Sequence, residues 1–153
     1  MCACIVADSS VFILGKRLEG ELITVPAVER ELKDIRSRLL LQICGARVES
    51  PSVNALKRAT EAARETGDIR VLSQADLDVL AKALEYQARL ATDDYAVQNV
   101  ALYLGIPIEP IGQPLIKRGI KRVSRCFACG ATFDGEICPD CGTPFRRKKR
   151  RIR

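Results

Sequence analysis

RLATDDYAVQNVALYLG, residues 89–105, brings a strand, two adjacent carboxylates and a helix together in one short stretch. Arg89 to Thr92 is an extended run, Asp93 and Asp94 follow it, and Val97, Val100, Ala101 and Leu104 recur at helical spacing until Gly105 supplies a left-handed stop. In an open parallel α/β sheet, ligands bind outside the carboxyl ends of the strands, so acids at such a junction stand where chemistry is usually done. Whether the pair acts depends on the acids that the rest of the chain brings to the same edge.

Working outward, Ile5, Val6 and Ala7 form a short apolar run that predicts a fully buried strand ended by Asp8, with Ser9, Ser10 and the apolar Val11 to Leu14 beyond it. Asp8 can be a site carboxylate or the cap of the helix that follows. Leu22 to Val25 is the next extended stretch, and Pro26 suits the first turn of a helix predicted to run to about Ile43. Its inward stripe would be Val28, Leu32, Ile35, Leu39 and Ile43. Glu31 shares that side, either facing the site or reaching past the stripe to solvent. A short strand is expected at Val48 and a helix from Ser52 to Thr66, closed by Gly67, with Leu56, Ala59 and Ala63 inward. Ile69 to Leu72 leads into SQADLDVLAKAL, where Ser73 and Asp76 have capping-box spacing and Leu77, Leu80, Ala81 and Leu84 form the buried stripe. Helical geometry does not separate Asp76 from Asp78, since both flank that stripe. Ile106 to Ile111, with two prolines, reads as an edge strand.

This alternation predicts a parallel sheet with helices on both faces, and puts Asp8, Asp76 and the Asp93/Asp94 pair at strand-to-helix junctions on one edge, within reach of Glu31. Several acids meeting there repel unless cations neutralise them, which points to Mg²⁺ or Mn²⁺, hard ions that prefer carboxylate and water oxygens. Such ions can activate a water and stabilise the leaving oxygen of a phosphodiester. The chain has no histidine, which excludes imidazole general-base chemistry.

The 153 residues, 47% apolar and 29% charged, suit one real core with a small appendage. No apolar run approaches the ~20 residues of a bilayer span, and the start, MCACIVA, lacks the positive flank and cleavage site of a secretory signal, so the expected location is the cytoplasm with no membrane partner. Charge is uneven: residues 1–114 carry 13 basic and 16 acidic side chains, residues 115–153 carry 12 and 3. The carboxyl end therefore seeks a polyanion, and nucleic acid fits better than a membrane surface because the basic stretch forms no apolar helix face.

Of seven cysteines, four lie in two CxxC pairs, Cys126/Cys129 and Cys138/Cys141, each followed by a glycine. Two such knuckles hold one tetrahedral Zn²⁺ through four thiolates, a closed structural site with no position left for water. Cys2, Cys4 and Cys44 lie among apolar neighbours and are expected to be buried packing residues without a role. The chain is expected to divide into an α/β domain at 1–114, a linker or start of the ribbon at 115–125, a zinc ribbon at 126–145 and a basic tail at 146–153. Within that tail Arg146, Arg147, Lys148, Lys149, Arg150 and Arg151 are the candidate phosphate contacts.

VADSSVFI at 6–13, VPAVEREL at 25–32, LSQADLDVLAKAL at 72–84 and TDDYAVQNVALYLG at 92–105 resemble the four acidic blocks of PIN-domain ribonucleases. A PIN domain followed directly by a four-cysteine ribbon is similar to the NIN-one-binding endonuclease family in its shorter, archaeal form. The resemblance implies a three-layer PIN-like fold and a divalent-metal-dependent endoribonuclease that matures the 3′ end of small-subunit (16S) ribosomal RNA. It implies metal binding by Asp8, Glu31, Asp76 and Asp94, with Asp93 a further candidate and Thr92 and Asn99 in support. Precursor ribosomal RNA, the small ribosomal subunit and other assembly factors would be the partners. Two other readings stand beside it: a toxin-type PIN ribonuclease, against which the ribbon speaks, and a non-catalytic RNA-binding adaptor in which the acids only cap helices.

Overall fold

The computed structural model describes residues 4–133 and 135–144, so the basic cluster Arg146–Arg151 and Cys2 lie outside the described residues. The chain forms two compact units, 1–120 and 121–153. The first is built on a parallel five-stranded sheet, β1 (Cys4–Ala7), β2 (Glu21–Thr24), β3 (Arg47–Val48), β4 (Arg89–Ala91) and β5 (Ile108–Glu109), in the order β3-β2-β1-β4-β5. Ile5, Val6, Ala7, Leu22, Ile23, Leu90 and Ala91 are buried, as strands covered on both faces require.

Six helices cover the sheet: α1 (Ser9–Leu14), α2 (Pro26–Glu31), α3 (Ile35–Ile43), α4 (Val53–Thr66), α5 (Gln74–Tyr86) and α6 (Tyr95–Leu104). α1 packs with α3, while α4, α5 and α6 pack on one another and α5 lies on β1 and β4. The strand order grows one way from β1 to β2 and β3, then returns to β4 and β5 on the other side. With right-handed crossovers this gives three layers and makes the β1–β4 boundary the topological switch point.

Several expectations change. The helix expected from Pro26 to Ile43 is interrupted: α2 ends at Leu32, whose backbone is extended, and α3 restarts behind Asp34. Asp34 Oδ1 accepts from Ser37 N at 2.9 Å and Oδ2 from Ser37 Oγ at 2.6 Å, so a local N-cap resets the helical register. The reset turns Ile35 (77% exposed), Leu39 (49%) and Ile43 (77%) outward and buries Ser37 and Leu41 instead. Cys44, at the end of the same helix, is exposed rather than packed inside, and Cys4 is half-buried. Second, residues 69–71 form a turn between α4 and α5, so Asp76 begins a helix that follows another helix and not a strand.

The first unit runs past the expected boundary at 114. Ile116 N donates to Gln98 Oε1 at 3.0 Å, and Asn99 holds Ile120 by both its carbonyl and its N–H, at 2.6 and 2.7 Å. This strap over α6 explains why Gln98 and Asn99 are buried along with the apolar residues around them. The second unit contains β6 (Ser124–Arg125) and β7 (Thr132–Phe133), an antiparallel pair, and among its described residues Cys126, Phe133 and Cys138 are its buried apolar cluster, with Ala131 against them. Among the described residues no helix is long and apolar enough to cross a membrane.

The reset register has a direct consequence for stability. Ile35→Gln and Ile43→Gln should change unfolding free energy by no more than about 0.5 kcal/mol, as exposed positions do, whereas Leu41→Ala should cost about 2–5 kcal/mol. Urea unfolding of the three variants checks this.

Candidate active site and metal centre

Asp8 ends β1, and its carboxylate is 5% exposed. Its backbone is fixed from both neighbouring strands: Asp8 N donates to Ala91 O at 3.1 Å, and Thr24 Oγ1 donates to Ala7 O at 2.8 Å. Its Oδ1 accepts from Ser9 N at 2.6 Å and its Oδ2 from Thr92 Oγ1 at 2.8 Å. Thr92 thus couples the end of β4 to the end of β1, and its hydroxyl also accepts from Asp94 N at 3.1 Å. Asp94 caps α6 through Oδ1, which accepts from Ala96 N at 2.7 Å and Val97 N at 3.1 Å, while no hydrogen bond among the described residues reaches its Oδ2.

Asp76 joins from α5. Its Oδ2 accepts from Ser73 N at 2.7 Å and Ser73 Oγ at 2.8 Å, a complete capping box. Asp78, which the sequence did not separate from it, accepts from Gln74 Nε2 at 2.7 Å along its own helix. Glu31 ends α2 and is exposed. Burial raises the Asp8 pKa against the opposing hydrogen bonds from Thr92 and Ser9, and the charges of Asp76 and Asp94 raise it further. Partial desolvation raises that of Glu31 although the residue is largely exposed, followed by repulsion from Asp76 and Asp8. Asp8 and Asp94 follow β1 and β4 at the switch point; the charges of Asp76 and Asp94 act on Asp8, and those of Asp76 and Asp8 on Glu31.

Asp93 does not join them. Its Oδ1 accepts from Ile111 N at 2.8 Å and its Oδ2 from Gly112 N at 2.9 Å, so it pins the turn after β5, which Lys16 Nζ holds from the other side through Pro110 O at 2.5 Å and Ile111 O at 3.0 Å. Asn99 also faces elsewhere, bonding Asp68 Oδ2 at 2.6 Å besides Ile120. Sequence reasoning missed Thr24, Lys16, Asp68 and Gln98. The signal for Gln98 was available, since a polar side chain beside Val97 on an otherwise apolar helix needs a partner when buried.

Among the described residues the four acids do not form a group close enough to hold one ion through three or more of them, so the site is more open than a single tight cage. Its chemistry fits a divalent cation of the Mg²⁺ type, which keeps several waters and takes only one or two carboxylates directly. Capping and ligation do not compete here, because Asp76 and Asp94 each use one oxygen on the helix end and keep the other.

In the second unit the four cysteine sulfurs lie within 4.8 Å of one another, close enough to hold one metal ion. Cys126 Sγ and Cys141 Sγ are 3.5 Å apart and Cys129 Sγ and Cys138 Sγ 3.6 Å, too long for disulfides and near the ~3.8 Å edge of a tetrahedral ZnS₄ centre. Two matching knuckles build it: Gly130 N donates to Cys126 O at 3.0 Å and Gly142 N to Cys138 O at 2.9 Å, with both glycines left-handed. The backbone N–H groups of Cys129 and Ala128 help hold the Cys126 thiol down to about 6, and the Thr143 hydroxyl lowers Cys141.

A family model described as the PIN domain of ribonuclease matches residues 5–86. The chain is 45% identical over 161 aligned positions to Endoribonuclease Nob1 of Pyrococcus abyssi, covering 97% of this chain and 96% of that one. The chain belongs to the Nob1 family of PIN-domain endoribonucleases. Two further relatives frame it. Ribonuclease VapC1 of Thermoplasma acidophilum is 39% identical over 134 positions, covering 85% of this chain and 69% of its own. The 20S-pre-rRNA D-site endonuclease NOB1 of Saccharomyces cerevisiae is 33% identical over 80 positions, covering 50% of this chain and 17% of its own.

The raised carboxylates make a pH prediction. A carboxyl whose folded pKa is raised contributes most below its unfolded value, 3.8 for Asp8, and that contribution is lost as pH rises through the folded value. In buffer free of Mg²⁺ and Mn²⁺, Asp8→Asn should therefore gain stability relative to the unsubstituted protein as pH rises above ~4. Urea unfolding at several pH values measures the difference.

Proposed function

We propose that this PIN-domain endoribonuclease is divalent-metal-dependent, matures the 3′ end of precursor 16S ribosomal RNA in the cytoplasm, and works on the small ribosomal subunit with its assembly factors. What supports the reading is likeness over nearly the whole chain to an endoribonuclease, together with the mutual repulsion that raises the Asp8 carboxyl beside Asp76 and Asp94 and that of Glu31 beside Asp76 and Asp8. The yeast relative is named for cutting a ribosomal RNA precursor, which supports the RNA class.

In this reading the four carboxylates hold Mg²⁺ or Mn²⁺, which supplies a Lewis acid and a water of lowered pKa. Asp8 is the fixed member, held at both oxygens by Ser9 and Thr92 so that its orientation survives repulsion from its neighbours. Asp94 and Asp76 offer the oxygens that their helix caps leave over, and Glu31 closes the group from α2. With no histidine in the chain, protons leave through carboxylates and water. The cysteine set holds structural Zn²⁺, because four sulfurs close its coordination sphere and the unit's core is too small to fold unaided. Arg146 to Arg151 bind RNA phosphates without reading sequence.

The Thermoplasma relative is named as a ribonuclease without mention of ribosomal RNA, which keeps a toxin-type PIN ribonuclease as the second reading. The four-sulfur unit and the 12 basic against 3 acidic side chains of residues 115–153 favour a protein that grips a long RNA. Crosslinks near the 3′ end of precursor 16S rRNA separate the two.

Three outcomes are expected. Asp8→Asn and Asp94→Asn should fold, yet lose a hundredfold or more in Mn²⁺-dependent cleavage of an rRNA 3′-end fragment, about 2.7 kcal/mol or more at ~1.4 kcal/mol per tenfold, while retaining RNA affinity. Variants that cut normally and melt early would make these acids caps alone. Purified protein should carry one zinc, and Cys126→Ser or Cys138→Ser should unfold residues 121–144 while sparing the sheet, read by metal analysis and amide spectra. Truncation after Phe145 should flatten the salt dependence of single-stranded RNA binding, the log–log slope falling by ~0.7 for each phosphate that the tail no longer neutralises.

A further inference from the structure

The break between α2 and α3 does more than reset a helix. It opens a cavity of about 310 Å³ lined by Glu29, Arg30, Leu32, Arg38, Leu41 and Gln42. Leu32 and Leu41 are buried and form its apolar floor, whereas Glu29, Arg30, Arg38 and Gln42 stand exposed around it. Arg38 is already oriented, since its Nε donates to Leu32 O at 2.6 Å and leaves the far end of the guanidinium free to engage a ligand. The side chains of Glu29, Arg30 and Gln42 make no hydrogen bond or ion pair among the described residues. Arg30 and Leu32, two of the lining residues, flank Glu31 in the chain, which puts the cavity wall one residue in sequence from a proposed member of the acid group.

We propose that this cavity receives one unpaired ribonucleotide of the substrate strand, next to the phosphodiester that the acid group cuts. The inference rests on the endoribonuclease reading and names how that site grips its strand. The volume is at the lower end of small-molecule sites and suits a single nucleotide. An apolar floor accepts the face of a base, and a planar guanidinium stacks on a base or forks onto a phosphate. Arg38, fixed against the end of α2, is the stacking partner, and Arg30, on the side of Glu31, meets the flanking phosphate. Glu29 only accepts hydrogen bonds and Gln42 both donates and accepts, a pair fitted to the edge of a base. Adenine, cytosine and guanine each present an amino group to a carboxylate, whereas uracil presents two carbonyls around one N–H. The cavity therefore disfavours uridine.

The test uses the full-length zinc-loaded protein and the four ribonucleoside 5′-monophosphates as probes. Amide NMR shifts on titration should be saturable and centred on residues 29–42, with UMP the weakest. A matched set of single-stranded oligonucleotides, varied at one position at a time beside the cut, should show a selectivity against uridine at one position. Glu29→Gln should reduce that selectivity threefold or more, and Gln42→Ala should raise KM more than it lowers kcat. Shifts absent from residues 29–42, or both variants retaining the original selectivity and KM while the enzyme cuts RNA, would overturn the nucleotide site and leave the nuclease reading standing. Nucleotide binding at the cavity of a protein that cuts no RNA under any divalent metal would overturn its placement beside a scissile bond, and the nuclease reading with it.

Discussion

A carboxylate held almost out of water among three others is the constraint on which the structure depends. Asp8 stands at the end of the central strand, and burial and the charges of Asp76 and Asp94 oppose its ionisation. A charge in that position needs hydrogen bonds or a cation. The fold supplies the first through Thr92 and Ser9 and brings carboxylates together in a way that suits the second. The neighbouring architecture serves this arrangement: Thr24 ties β2 to the carbonyl before Asp8, Ala91 receives its N–H, and Thr92 links both acid-bearing strand ends.

Helix capping leaves the same side chains an oxygen with which to hold a metal. A carboxylate has two oxygens, and a helix N-terminus needs only one. Asp94 uses one on the N–H groups of Ala96 and Val97, and Asp76 one on the N–H and hydroxyl of Ser73, which fixes their rotamers. Helix ends thereby hold acids in place at a site whose mutual repulsion would otherwise splay them. Asp93 shows the opposite use of the same residue type: both its oxygens are taken by the turn after β5, so it shapes the neighbouring loop.

Much of this was legible in the sequence because strong local rules decide it. Short apolar runs ended by acids, the Ser73/Asp76 capping box and the two CxxC knuckles each depend on residues a few positions apart, and a family likeness placed them in one frame. What was not legible depended on competition or on distance. The helix from Pro26 to Ile43 carries a continuous apolar repeat, but the Asp34–Ser37 cap outweighs it and turns Ile35 and Ile43 to solvent. The strap at 116–120, held by Gln98 and Asn99, is a contact between segments whose pairing no local pattern announces. Asp93 and Asp94 are neighbours in the chain with opposite partners, and only the position of the 111–112 turn separates them.

The central claim is that Asp8, Glu31, Asp76 and Asp94 form one divalent-metal site, and anomalous diffraction from crystals soaked in Mn²⁺ tests it most directly. The account predicts a manganese peak outside the carboxyl ends of β1 and β4, with oxygens of Asp8 and Asp94 near the ~2.1 Å octahedral distance or one water away, and no peak at Asp93. Saturating Mn²⁺ with no peak among these four acids, or a peak held by Asp93 in their place, would contradict it.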